Sequence, residues 1–108
     1  MKKIYIASPY RVGDVGQNVR AQMEVFDLLV GKGYVPFAPL LFHFQHISFP
    51  LPEEVWLELD FEWVKACDGL LRLPGESKGA DMEVEVAKAV GIPVFTTIKE
   101  MDKHFKIK

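Results

Sequence analysis

A parallel sheet sandwiched between helices, in one α/β domain spanning residues 1–108, is the expectation raised by three features of the sequence. Short β-rich runs alternate with segments of helical period, which is the pattern of βαβ units. Those runs are nearly continuous in apolar residues rather than strictly alternating, as strands covered on both faces require. A chain of 108 residues, 49% of them hydrophobic, is long enough for one compact core and too short for two.

The elements follow in order. The run "KIYIA" (3–7) is the first strand, and "SPYRVGD" (8–14) leaves its carboxyl end as a loop. In the next helix Val19, Met23, Phe26 and Val30 form the expected inner stripe, while Ala21, Val25, Leu28 and Leu29 make a second apolar patch. An apolar patch left over on a helix points to self-association, so a homodimer or higher homo-oligomer is expected. "YVPFA" (34–38) is the second strand and runs into a proline-rich, aromatic insertion, "PFAPLLFHFQHISFPLP" (36–52), whose Phe42, Phe44 and Phe49 either stack on a planar ligand or close the core. "GLLRL" (69–73) and "IPVFTT" (92–97) complete a sheet of four strands, or five if one more is hidden. Ligands of such open sheets sit beyond the carboxyl ends of the strands, here "SPYRVGD", the insertion and "PGESKGAD" (74–81).

Composition excludes several classes of function. With 13 basic and 15 acidic residues mixed along the chain, net −2, no basic stripe suits polymeric nucleic acid or a membrane surface. The single cysteine, Cys67, permits no internal disulfide, and the apolar run after Met1 stops at Ser8-Pro9, short of a signal-peptide core. A cytoplasmic protein is expected. Cys67 falls on the apolar face of its helix and reads as a small buried hydrophobe. His43 and His46 are three apart but have no further ligand cluster, so no metal is expected. The loop sequences contain neither GxxxxGK[ST] nor GxGxxG, and no cofactor is implied.

Helical wheels at about 100° per residue expose two misplaced acids. From Glu53 to Cys67, Trp56, Trp63, Val64 and Cys67 share a face opposite Glu54, Glu58, Glu62 and Lys65, and Asp60 falls in the middle of the apolar face. In the helix beginning near Gly79, Met82, Val86, Ala89 and Val90 form the expected inner stripe; Asp81 and Glu85 point outward, where acids near a helix start complement its dipole. Glu83 lies at the inner edge. A carboxylate facing a core costs several kcal/mol, as an order of magnitude, unless hydrogen bonds or a cavity receive it. Asp60 and Glu83 are therefore either satisfied structural acids or the poles of a polar pocket, with one carboxylate free to act as nucleophile or base and the other to protonate a leaving group, as in glycosidic bond cleavage. Ser77 and Gly79 put small residues and helix amides beside them, suited to a hydroxyl-rich or anionic group.

Three stretches, "IYIASPY", "DFEWVKACD" and "SKGADMEVEVAKAVGIPV", resemble the nucleoside 2-deoxyribosyltransferase superfamily, in particular its small SPY-type members and the 2′-deoxynucleoside 5′-phosphate N-hydrolases. The likeness covers nearly the whole chain. It implies a flavodoxin-like, Rossmann-like three-layer fold and an enzyme that cleaves or transfers the N-glycosidic bond of a small nucleoside or nucleoside 5′-monophosphate. The family pattern S-x-G-x-x-x-E-x-x-x-A places the nucleophile on Glu83 and not on Glu85. Asp60, three residues before Trp63, matches the acid that assists the departing base, and Tyr5 a strand tyrosine that orients the nucleophile. Arg11 matches a position used for the 5′-phosphate in the N-hydrolase branch, where Ser77 could join it, and with them Ser8, Tyr10 and Gly79 are expected to contact sugar or phosphate. The C-terminal "KEMDKHFKIK" departs from the serine-rich segment by which a neighbouring subunit completes the phosphate site in the N-hydrolase branch. The alternatives are a binding or sensing module of the same fold without catalysis, and a structural dimer that binds nothing.

Overall fold

The computed structural model describes residues 1–107. They form four strands, β1 (Lys3–Ala7), β2 (Val35–Phe37), β3 (Gly69–Arg72) and β4 (Val94–Phe95), and five helices, α1 (Val15–Gly31), α2 (His43–Ser48), α3 (Glu53–Lys65), α4 (Lys78–Ala89) and α5 (Ile98–Phe105). The sheet is wholly parallel, in the order β2-β1-β3-β4, with Tyr5 opposite Phe37 on one side and Leu70 on the other. The four strands anticipated from the apolar runs are present, and no fifth joins them among the described residues.

Period-two alternation sorts β1 between two cores. Ile4 and Ile6 face the α1/α5 layer with Leu29, Tyr34, Leu71, Phe95 and Met101, whereas Tyr5 and Ala7 face the α3/α4 layer with Val64, Leu70, Ala80 and Ala87. Both faces of the sheet are thus covered, which explains why its strands are apolar throughout. The order reverses between β1 and β3, so their carboxyl ends diverge into loops that leave a crevice between them.

Two helices are rotated from their expected orientation. In α1 the fully buried residues are Gln22 and Leu29, with Val25 and Phe26 against the core, while Met23 and Val30 are half exposed. In α4 the buried line is Ala80, Glu83 and Ala87, with Val84 partly buried, and Met82, Ala89 and Val90 are exposed. The wheel favours large apolar side chains, but the close approach of α3 to α4 selects small ones: a Cβ added at Gly79 would lie 3.6 Å from Leu57 Cδ2. Glu83 is consequently central to the buried face, not at its edge. The insertion folds into a 3₁₀ turn (Pro39–Phe42) and α2, and most of the C-terminal stretch forms α5; Lys108 lies outside the described residues.

Candidate active site

Tyr5, Asp60 and Glu83 come from β1, α3 and α4 and meet in the layer between the sheet and the α3/α4 pair. Tyr5 has no exposed surface, and its hydroxyl donates to Glu83 Oε2 at 2.5 Å. Asp60, half-buried, stands beside both and interacts with each. Every buried side-chain nitrogen and oxygen among the described residues has a hydrogen-bond partner. The desolvation cost of the Glu83 carboxyl is met in part by the Tyr5 hydrogen bond, and the half-buried Asp60 keeps contact with the cavity.

Burial pushes Glu83 up to about 8; the Tyr5 hydrogen bond draws it down, the Asp60 charge pushes it up, and the more distant Arg72 guanidinium draws it down. Burial also raises Asp60 to about 6, against hydrogen bonds with Glu83 and Tyr5. Two neighbouring carboxyls cannot both ionise cheaply, so the pair gives up its protons in two separate steps, both raised above the ordinary carboxylate range. Burial and the neighbouring carboxylates raise the Tyr5 phenol well above its usual range, which keeps it a donor to Glu83.

A cavity of about 230 Å³ opens over the pair, bounded by Asp60 and Glu83. Ser8, Tyr10 and Arg11 line it from the loop after β1, and Ser77, Lys78 and Gly79 from the start of α4. All the sequence-predicted site residues except Tyr5 line this one cavity, and Tyr5 supports Glu83 from behind. Arg11 is at the mouth, 3.6 Å from Glu53, with both side chains more than half exposed, so this ion pair contributes little to stability.

The two loops are held by local hydrogen bonds. Asn18 Nδ2 donates to the carbonyls of Tyr10 and Val12 at 3.0 and 2.9 Å, and Asp14 caps α1 through Gln17 N–H. Ser77 caps α4 by accepting from Ala80 N–H at 3.1 Å. Gly75 has φ +119°, and a Cβ there would lie 2.7 Å from Pro9 Cγ, so the contact between the loops after β1 and β3 requires glycine. Arg72 donates to the carbonyls of Leu73 and Gly75 and pairs with Asp81 at 3.0 Å. Asp81 is exposed, as its helix-start position suggested, and it also clamps this loop through Arg72. A basic residue at the end of a strand, with one residue between it and Pro74-Gly75, was the available signal for that role.

The insertion supplies the opposite wall with Pro39, Leu40, Phe42, His43 and His46, and α3 adds Trp56 and Leu57. Trp56 Nε1–H donates to His46 Nδ1 at 2.7 Å, and Tyr10 Oη lies 2.5 Å from His43 Nδ1. The two imidazoles are thus tied into the wall. Phe37 stacks on Tyr5 and on Trp63, with centroids 5.7 and 4.6 Å apart, and lies 6.1 Å from Phe42, so an aromatic chain runs from the carboxyl pair into the insertion. Of the three phenylalanines considered for ligand stacking or core closure, only Phe42 reaches the cavity; Phe44 and Phe49 are 75% and 70% exposed. Phe44 lies in the short helix α2 and Phe49 at its carboxyl-terminal cap, both outside the cavity lining, which composition alone could not show.

The chain belongs to the family described as Domain of unknown function (DUF7768), matched over residues 2–97. By sequence alone it matches no curated protein. Its structure is similar to 2-deoxyribosyltransferase from the psychrotolerant bacterium Bacillus psychrosaccharolyticus, at 21% identity and TM-score 0.62 over 89% of this chain and 75% of that one. It is similar also to the 2-desoxiribosyltransferase of Leishmania mexicana, at 26% identity and TM-score 0.63 over 87% of this chain and 62% of the other. A third likeness is to the Clostridium botulinum CMP N-glycosidase, at 20% identity and TM-score 0.59 over 86% and 66%. The parallel α/β fold is shared with these proteins, in agreement with the superfamily resemblance carried by the sequence.

Proposed function

We propose that this member of the family cleaves or transfers the N-glycosidic bond of a nucleoside or nucleoside 5′-monophosphate, with Glu83 as nucleophile. The observation that carries the reading is the Tyr5–Glu83–Asp60 cluster at the cavity, two carboxyls from separate helices beneath space for a small ligand, one of them held by a tyrosine hydroxyl. Tyr5 donates to one Glu83 oxygen and leaves the other for C1′. As the C1′–N bond breaks, a C1′–O bond to Glu83 forms, and the proton shared with Asp60 passes to the departing base. In the second step water or another base attacks C1′, Glu83 is released, and the proton lost by the acceptor returns to Asp60. Water as acceptor gives hydrolysis and a base gives transfer. The amides at the start of α4, with Ser8, Tyr10, Arg11, Ser77 and Gly79, hold the sugar or its phosphate.

The similar 2-deoxyribosyltransferases and CMP N-glycosidase support this class of reaction. The aromatic wall of Phe42 and Trp56 suits a planar base. Incubation with deoxyribonucleosides and their monophosphates, followed by chromatography for free base, tests the proposal. Base release by the wild type and its loss in Glu83→Gln are expected; equal turnover by both proteins would eliminate Glu83 as nucleophile.

A further inference from the structure

We infer that Gln22, on α1, is a positioning residue that fixes the Ser8 hydroxyl as a hydrogen-bond donor into the cavity; the role given to that donor rests on the function proposed above. Gln22 has no exposed surface and uses its whole amide. Its Oε1 accepts from Leu40 N–H at 2.9 Å, and its Nε2 donates to the Ile6 carbonyl at 3.1 Å and to Ser8 Oγ at 2.8 Å. The two backbone partners settle which end of the amide is which, because an N–H must face the oxygen and a carbonyl the nitrogen. Ser8 Oγ therefore accepts from Gln22, and its own proton must point elsewhere.

Among the described hydrogen bonds none gives that proton a protein acceptor, and Ser8 lines the cavity. The hydroxyl is thus set to donate to an acceptor oxygen of the bound sugar portion. Through Leu40, the same glutamine ties the insertion wall to the end of β1, whose Tyr5 holds Glu83. One buried side chain so fixes the polarity of a sugar contact and the separation of two cavity walls.

The test uses Glu83→Gln protein, in which bound ligand stays intact, labelled with ¹⁵N and titrated with 2′-deoxynucleosides and their 5′-monophosphates. Ser8→Ala is expected to weaken binding roughly tenfold, the worth of one hydrogen bond to ligand. Gln22→Glu, which in neither protonation state can donate to both Ile6 and Ser8, is expected to weaken it by a similar factor, and to add less than about twofold in the Ser8→Ala background. Gln22→Met, which buries no charge, should repeat the pattern if Gln22→Glu fails to fold. In protein that keeps Gln22, its side-chain amide signals should shift on titration when Ser8 is present and stay still with Ser8→Ala. Equal weakening with and without Ser8, amide signals that ignore the ligand, or no binding of any ligand in the panel would overturn the inference. Absence of base release by the wild-type protein, with the coupling intact in Glu83→Gln protein, would instead overturn the catalytic reading and leave this one standing.

Discussion

Among the described residues two tyrosine–carboxylate pairs stand one on each side of the sheet, and they are tuned in opposite directions. On the α1/α5 side Tyr34 Oη donates to Asp102 Oδ1 at 2.7 Å, and Lys32 Nζ lies 2.7 Å from Asp102 Oδ2. Desolvation pulls the Asp102 pKa up, but the hydrogen bonds from Lys32 and Tyr34 and the Lys32 charge outweigh it, so this carboxyl is lowered. On the α3/α4 side Tyr5 donates to Glu83 in the same way, yet the nearest charged group is a second carboxyl and burial dominates, so Glu83 is raised. The phenol is common to both pairs. A cation and solvent make one a tether for α5; an acid and enclosure make the other a store for a proton.

The largest effect that bears on this contrast is on turnover. Glu83→Gln should reduce base release by about a thousandfold or more, and Asp60→Asn by about a hundredfold, because loss of a positioned proton donor typically costs on that order. If Asp60→Asn is silent, the two carboxyls do not act as a unit. Next comes the pH profile: the proposed mechanism needs one carboxyl ionised and the other protonated, so kcat/KM should be bell-shaped with limbs near pH 6 and pH 8, following the raised Asp60 and Glu83. Tyr5→Phe removes a hydrogen bond that favours ionised Glu83, so it should move the alkaline limb upward and lower kcat about tenfold or more.

Stability should separate the pairs more gently. A carboxyl raised from 4.5 to about 8 on folding binds its proton more tightly in the native state. Its contribution is fully present below about pH 4.5 and is lost as pH rises through about 8. Denaturant titrations should show wild-type stability falling by several kcal/mol across that window, about 5 if the whole Glu83 shift is expressed, and Glu83→Gln should remove the larger part of the slope, the raised Asp60 leaving the rest. Asp102 has the opposite sign: because it is lowered, its contribution is present above its unfolded pKa and lost as pH falls. Its partner Lys32 is a third exposed, so Lys32→Met should cost at most about 1 kcal/mol at neutral pH, less in high salt, with no change in base release.

The same contrast explains what could be read from the sequence. Continuous apolar strands and the residues Asp60 and Glu83 stood out because a charge among apolar neighbours violates helical period, whatever the fold around it. Tyr34 and Asp102 are ordinary in sequence: Ile98, Met101 and Phe105 mark the apolar face of α5, but nothing local pairs Asp102 with a tyrosine 68 residues away. Gln22 was hidden for a related reason: a neutral polar residue on a helix looks solvated until the strand carbonyl and the turn amide that satisfy it are brought together by folding. The orientation of α4 was missed because Ala80 and Ala87 carry little hydrophobic weight on a wheel, although their small size is what lets α3 deliver Asp60 to Glu83. Ser77 and Gly79 could be placed at the site because a loop-to-helix boundary at a strand end is a local feature, whereas Arg11 was placed there only by the family resemblance. The cavity wall from residues 39–46 depends on a fold of the insertion that no periodicity announced.

Covalent trapping examines the Glu83 chemistry most directly. Wild-type protein is incubated with a 2-fluoro-2-deoxy nucleoside or its monophosphate, a slow-turnover sugar, then digested and read by mass spectrometry. The expected result is the mass of the sugar, or sugar phosphate, on the peptide that carries Glu83, with none on Glu83→Gln protein. Sugar attached to a different residue, or base released with sustained turnover and no adduct at any time, would contradict Glu83 as the nucleophile.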